Sequence, residues 1–142
     1  MKQGFVKVAA ASCAVAVADV RENTRVILET IHKMEDEGAK VMVLPELALT
    51  GYTCSDLFWQ SQMIDAAKEG LKEIADGTKG TDALIFVGLP WEQGGKLFNV
   101  AAVLCHGELL GVVPKKYLPN YNEFYELRHL SLIHISEPTR LQ

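Results

Sequence analysis

Two short stretches of this 142-residue chain carry side chains that could do chemistry together. The first runs from Val41 to Tyr52 and reads V-M-V-L-P-E-L-A-L-T-G-Y. Its one acid, Glu46, is the only carboxylate between Glu37 and Asp56, and its neighbours are apolar. A carboxylate in such surroundings is poorly solvated when ionised, which suits it to act as a general base. It could equally cap a turn or pair with a nearby cation, and alone the stretch slightly favours that simpler role. The second stretch, Pro114 to Glu126, reads P-K-K-Y-L-P-N-Y-N-E-F-Y-E, with two lysines, three tyrosines and two acids. A lysine whose stem is packed and whose head faces a carboxylate is a fixed positive charge of the kind that stabilises the oxyanion of an acyl transfer. Taken alone, this stretch reads more simply as an exposed basic loop with tyrosines packed on a sheet edge.

The elements that must position these residues follow from the hydrophobic pattern. Val41 to Leu44 is an unbroken apolar run, which suits a strand buried on both faces of a parallel sheet. Pro45 has no N–H and ends that strand, so Glu46 falls at its C-terminal end, where α/β sheets place their ligands. Upstream, Phe5 to Ala11 reads as a strand. Asp19 to Gly38 reads as a helix with Asn23 as its N-cap, Val26, Ile27, Ile31 and Met34 on the buried face, and Gly38 just past its end. The two strands and this helix make a β-α-β unit, whose right-handed crossover sets the strands in one sheet.

Downstream, Thr53 to Trp59 reads as a loop or short helical turn. Ser61 to Ala75 reads as a second helix burying Met63, Ala66, Ala67, Leu71 and Ile74. Asp76 to Thr81 is a break, and Ala83 to Val87 a third buried strand. Gly88 to Lys96, with three glycines and Pro90, reads as a loop or hairpin turn. Phe98 to Cys105 and Glu108 to Val113 form a hairpin about His106 and Gly107, giving the order β-α-β-α-β-β-β.

Composition narrows the function classes. Hydrophobic residues at 49% and charged residues at 23% are ordinary for a globular α/β protein. A net charge of −4 gives no footprint for nucleic acid or an anionic membrane. No apolar run is long enough to span a bilayer, and Lys7 interrupts the small-residue N-terminus, so no signal peptide is read. Cys13, Cys54 and Cys105 are widely spaced and fit neither a disulfide framework nor a metal-ligand pattern, so a reducing cytoplasm is expected. Cys13 and Cys105 read as buried structural thiols, and Cys54 as a possible pocket residue. Leu130 to Arg140, L-S-L-I-H-I-S-E-P-T-R, resembles the in-frame translation of a sequencing-library adapter. The expected division is therefore a partial domain over residues 1–129 and a foreign tail over 130–142, with the natural protein running on beyond about His129.

Read together, the two stretches resemble the carbon–nitrogen hydrolase (nitrilase) superfamily. Its P-E-x-x-x-x-G-Y pattern is matched by Pro45 to Tyr52, and its K-x-[H/Y]-L-[P/F] pattern by Lys115 to Pro119, a register that selects Lys115 over Lys116. Asn23 and the run L-F-N-V-A-A-V-L, Leu97 to Leu104, also fit. Pro45 to Phe58 and Lys115 to Glu126 further resemble the N-terminal glutaminase domains of the glutamine-dependent NAD synthetase family.

The resemblance implies the N-terminal part of a nitrilase-like α-β-β-α sandwich. It implies Glu46 as general base, Lys115 as oxyanion partner, Glu123 as a second glutamate orienting lysine or substrate, and Tyr52 and Tyr121 as pocket walls. It implies glutamine as substrate, no cofactor for the glutaminase step, and ATP and magnesium in a synthetase domain that would follow. It also implies a homo-oligomer when complete. The family's cysteine nucleophile lies downstream of the lysine stretch, and none of the three cysteines here occupies that place, so the chain itself is expected to be inactive. A stand-alone aliphatic amidase or carbamoylase is the alternative within the superfamily. A non-catalytic α/β binding module with a structural Glu46–Lys115 ion pair is the alternative outside it.

Overall fold

The structure is a computed structural model that describes residues 3–117, together with the strand backbone of residues 120–121 and 124–125. The elements run β1 (Val8–Ala10), α1 (Val20–Asp36), β2 (Val41–Val43), a 3-10 helix (Ser55–Trp59), α2 (Ser61–Gly77), β3 (Leu84–Gln93), β4 (Lys96–Cys105) and β5 (Glu108–Pro114). These strands form one five-stranded sheet in the order β1-β2-β3-β4-β5. The β1–β2 and β2–β3 pairs are parallel, and β3–β4 and β4–β5 are antiparallel. Beyond them, β6 (Asn120–Tyr121) pairs antiparallel with β7 (Phe124–Tyr125).

Strand side chains alternate between faces, and here the two faces meet different surroundings. Met42, Ile85, Leu104, Val87, Ala102 and Leu89 are each wholly buried. They share one core with Ile27 and Ile31 of α1 and with Ala67, Leu71 and Ile74 of α2. The opposite row is open. Val8 is 67% exposed, Val43 45%, Leu84 37% and Val113 43%. The apolar run from Val41 is thus buried on its helix-facing side alone, not on both faces as its composition suggests. Among the described residues nothing covers the second face.

Helix α1 begins at Asp19, whose Oδ1 accepts from the Glu22 N–H at 3.1 Å, so Asp19 and not Asn23 is the N-cap. Its C-terminus matches the sequence reading: Gly38 takes φ +83°, and the Ala39 N–H bonds the Met34 carbonyl at 3.0 Å.

The stretch Gly88 to Lys96 is not a loop. β3 continues to Gln93, and the turn is Gly94-Gly95 alone, with φ +61° and +74°, the conformation a two-residue hairpin requires. Pro90 is tolerated because β2 has already ended. The Phe86 and Gly88 carbonyls face the β2 side, accepting from Leu44 and Leu49, so Pro90 two residues on directs its missing donor to that side and away from β4. His106-Gly107, φ +50° and +76°, closes the β4–β5 hairpin in the same way.

Candidate functional site

The chain leaves β2 at Pro45 and folds into a compact turn. The Ala48 N–H bonds the Pro45 carbonyl at 3.2 Å, and the Gly51 N–H bonds the Leu47 carbonyl at 2.7 Å. Leu47 sits fully buried at φ +50°, an uncommon conformation for leucine that its surroundings must enforce. Two neighbours supply that constraint.

From below, the turn rests on the backbone of β3. The Leu49 N–H bonds the Gly88 carbonyl at 3.2 Å. A Cβ at Gly88 would stand 2.5 Å from the Leu47 nitrogen and 2.6 Å from the Pro45 oxygen, so only glycine fits. From the side, Asn23 acts as a clamp. Its Nδ2 donates to the carbonyls of Ala16 at 2.7 Å and Leu49 at 3.0 Å, and its Oδ1 accepts from the Ala16 N–H at 2.8 Å. Asn23 is 1% exposed, so this role replaces the capping role its position suggested.

The turn delivers Glu46 to the open face of the sheet, at the C-terminal ends of the parallel strands. There its Oε1 accepts from Lys115 Nζ at 2.7 Å and from Asn99 Nδ2. Asn99 lies on β4 opposite Pro90 and is 3% exposed. Its backbone carbonyl accepts from the Lys115 N–H at 2.7 Å, which carries the β4–β5 ladder one residue past β5. One residue therefore fixes the backbone of Lys115 and the carboxylate of Glu46. The three side chains rim a concavity of about 600 Å³ whose floor includes Val43, Phe86 and Val113.

The pair is less enclosed than the apolar sequence around Glu46 suggested. The Glu46 side chain is 44% exposed and that of Lys115 is 30% exposed. An ion pair so open to water contributes roughly 0.2–1 kcal/mol to stability.

Lys115 and Lys116 point apart, Lys115 toward Glu46 and Lys116 away from it. Lys116 is exposed, with its Nζ 5.5 Å from the ring centroid of the exposed Tyr117. Tyr52 is half-buried and packs against the small cluster of Leu47, Cys54, Phe58, Met63 and Ile64, rather than lining the concavity that holds Glu46. Glu123 lies outside the described residues. The backbone of Tyr121 is in β6, and its side chain is likewise outside them.

The cysteines are placed elsewhere. Cys54 is buried in that small cluster, its Sγ 3.1 Å from the Thr50 carbonyl, and burial pushes its thiol pKa up, the opposite of an activated nucleophile. Cys13 is half-buried against the main core, with its Sγ 3.7 Å from Thr30 Oγ1. Cys105 is only partly buried, and by strand alternation it shares the uncovered face with Val103. Among the described residues no group of three or more His, Cys, Asp or Glu could hold a metal ion. No described helix is long and apolar enough to cross a membrane.

Sequence reasoning did not assign Asn99, Gly88 or the clamping role of Asn23. Asn99 left a signal, as the one polar residue in the run F-N-V-A-A-V-L. Gly88 left none, because its necessity comes from a turn packed on it from another strand.

A mixed sheet with both helices on one face, and a Glu–Lys pair with a supporting amide on the other, defines a nitrilase-like α/β fold. The chain belongs to the carbon–nitrogen hydrolase family, whose model matches residues 7–131. It is 35% identical over 130 residues to the glutamine-dependent NAD(+) synthetase of Mycobacterium tuberculosis, an alignment covering 92% of this chain and 19% of that protein. It is also 35% identical over 113 residues to the enzyme of the same name from Aquifex aeolicus, covering 80% of this chain and 20% of that one.

Among solved structures, it matches a glutamine-dependent NAD(+) synthetase from Cytophaga hutchinsonii at a TM-score of 0.88 and 28% identity, over 93% of this chain and 22% of that one. An amidase from Nesterenkonia sp. matches at a TM-score of 0.78 and 22% identity, over 95% of this chain and 51% of that one, and shows the shared fold. The chain spans about a fifth of the length of the curated relatives it matches.

Proposed function

We propose that residues 1–129 are the N-terminal part of a glutaminase unit that hydrolyses the side-chain amide of glutamine and supplies ammonia for ATP-dependent NAD synthesis. The observation that carries this reading is the 2.7 Å contact between Glu46 and Lys115, formed by two motifs 69 residues apart, in a chain 35% identical to NAD synthetases along most of its length. In the complete protein Glu46 takes the proton of a cysteine thiol as the sulfur attacks the amide carbonyl. Lys115 faces the oxygen that becomes negative in the tetrahedral intermediate, a contribution of roughly 3 kcal/mol for one such donor. Glu46 then gives its proton to the departing ammonia and later activates the water that releases glutamate.

The nucleophilic cysteine belongs, in this reading, to sequence beyond residue 129, together with a synthetase domain that uses ATP and magnesium. Residues 130–142 are then an adapter-derived tail. Glu123 orients Lys115 or the substrate, Tyr121 walls the pocket, and the complete protein is a cytoplasmic homo-oligomer. Tyr52 is a further pocket wall in this reading, set by its packing against the cluster that contains Leu47.

The test is ammonia release by the complete protein from glutamine, set against acetamide, propionamide and N-carbamoyl amino acids. Selective release from glutamine, coupled to NAD formation when ATP and the acid dinucleotide are supplied, is the expected result. Preference for the simple amides or carbamoyl compounds would point to a stand-alone amidase or carbamoylase, and release from none of them to a binding module.

A further inference from the structure

We propose that Asn99 is a positioning residue that holds one oxygen of the Glu46 carboxylate so that the other does the proton transfer, an inference that rests on the glutaminase reading above. Both hydrogen bonds described for Glu46 arrive at the same atom, Oε1, one from Asn99 and one from Lys115. The two donors differ in kind. Lys115 reaches Oε1 with a flexible, partly exposed stem. Asn99 is 3% exposed and set within the β3–β4 ladder, opposite Pro90 on one side and, at the end of the β4–β5 ladder, bonded through its carbonyl to the Lys115 N–H on the other.

During the reaction Lys115 must turn part of its hydrogen bonding to the developing oxyanion. With Lys115 as sole anchor, Glu46 would loosen at the moment its geometry matters most. The Asn99 amide, fixed by the strand, keeps Oε1 in place throughout. Oε2 is then the atom that accepts the thiol proton as the carbon–sulfur bond forms, and that returns it to the amide nitrogen as the carbon–nitrogen bond breaks. The preference for an amide over other polar residues follows, because a neutral donor secures the carboxylate without competing with Lys115 for charge.

The test compares Asn99→Ala and the shape-conserving Asn99→Asp with the wild type in the complete protein. Loss of a hydrogen bond to a charged group corresponds to about a 10- to 100-fold fall in kcat, with KM within about threefold. Removing a donor from the ionised carboxylate disfavours that form, so the low-pH limb of the rate profile moves to higher pH in Asn99→Ala. It moves further in Asn99→Asp, which sets a like charge beside Glu46.

A variant with wild-type kcat and an unmoved low-pH limb overturns the proposal while leaving glutamine hydrolysis intact. Should the wild type not hydrolyse glutamine, the glutaminase reading fails on its own, and a crystal structure of Asn99→Ala decides the positioning claim. A Glu46 carboxylate displaced from its Lys115-bonded position supports it, and an unmoved carboxylate overturns it.

Discussion

Lys115 and Lys116 are adjacent, equally charged and opposite in consequence. Lys115 Nζ meets Glu46 at 2.7 Å, and Lys116 stands exposed beside Tyr117. Adjacent residues in extended chain point to opposite sides, so only one of the two can face the carboxylate. In the complete protein Lys115→Ala is expected to lower glutamine turnover about a hundredfold or more. Lys116→Ala should fall within about twofold of wild type, as exposed substitutions generally do. An ammonia-coupled assay of both variants measures the difference, and a reversed order would assign the site to the wrong lysine. The three thiols also separate at this scale. Cys54, buried and with its pKa raised, should resist iodoacetamide at neutral pH, while the only partly buried Cys13 and Cys105 react first. Mass spectrometry of a labelling time course would show the order, and early labelling of Cys54 would contradict the packing around the 3-10 helix.

Glu46 is positioned by elements more than by its own sequence. The turn that carries it is pinned by Gly88 of β3 and by Asn23 of α1. Gly88→Ala would drive a methyl group into backbone at 2.5–2.6 Å, contacts that no flexible side chain can relieve. The turn must therefore lift off the sheet, and the expected cost is about 1–3 kcal/mol, with loss of the Glu46–Lys115 contact. Asn23→Ala leaves the buried Leu49 carbonyl and the part-buried Ala16 N–H short of a partner, also at up to about 1–3 kcal/mol for a buried group left unsatisfied. Chemical denaturation of the two variants would check both figures. A Gly88→Ala protein of unchanged stability and unchanged turn would show that the close approach is not required.

The elements themselves were largely legible in the sequence. Helical periodicity marked α1 and α2, the apolar run before Pro45 marked β2, and His106-Gly107 marked a hairpin. The misreadings share a cause. Gly88 to Lys96 looked like a loop because glycine and proline were read as local breakers, whereas Gly88 is there for a neighbouring turn and Pro90 faces the side β2 has vacated. Asn23 looked like a cap because asparagine caps helices, whereas it bonds the backbone of two other segments. Both roles are tertiary, and a one-dimensional pattern carries no trace of them. Glu46 and Lys115 could be singled out because their motifs are local, whereas the lone polar Asn99 of its apolar run gains its contact with Glu46 only once β4 is set between them.

At the scale of the molecule, the sheet is finished on one face only among the described residues. Val8, Val43, Leu84 and Val113 leave an apolar surface on the side where Glu46 and Lys115 stand. Such a surface favours association in water. The 142-residue chain alone is expected to bind a hydrophobic dye strongly and to self-associate at micromolar concentration. The complete protein should bind far less dye per unit mass. Dye fluorescence and sedimentation would measure this, and a dye-silent, monomeric 142-residue chain would mean that the face is covered.

The central claim is that Glu46 is the base of a glutamine-hydrolysing site assembled with Lys115. Steady-state ammonia release from glutamine by the complete protein, wild type against Glu46→Gln, tests it most directly. The substitution keeps shape and hydrogen-bonding capacity but removes the proton acceptor. The account predicts that kcat falls at least about a hundredfold while KM changes little. A Glu46→Gln protein that releases ammonia at the wild-type rate would contradict it.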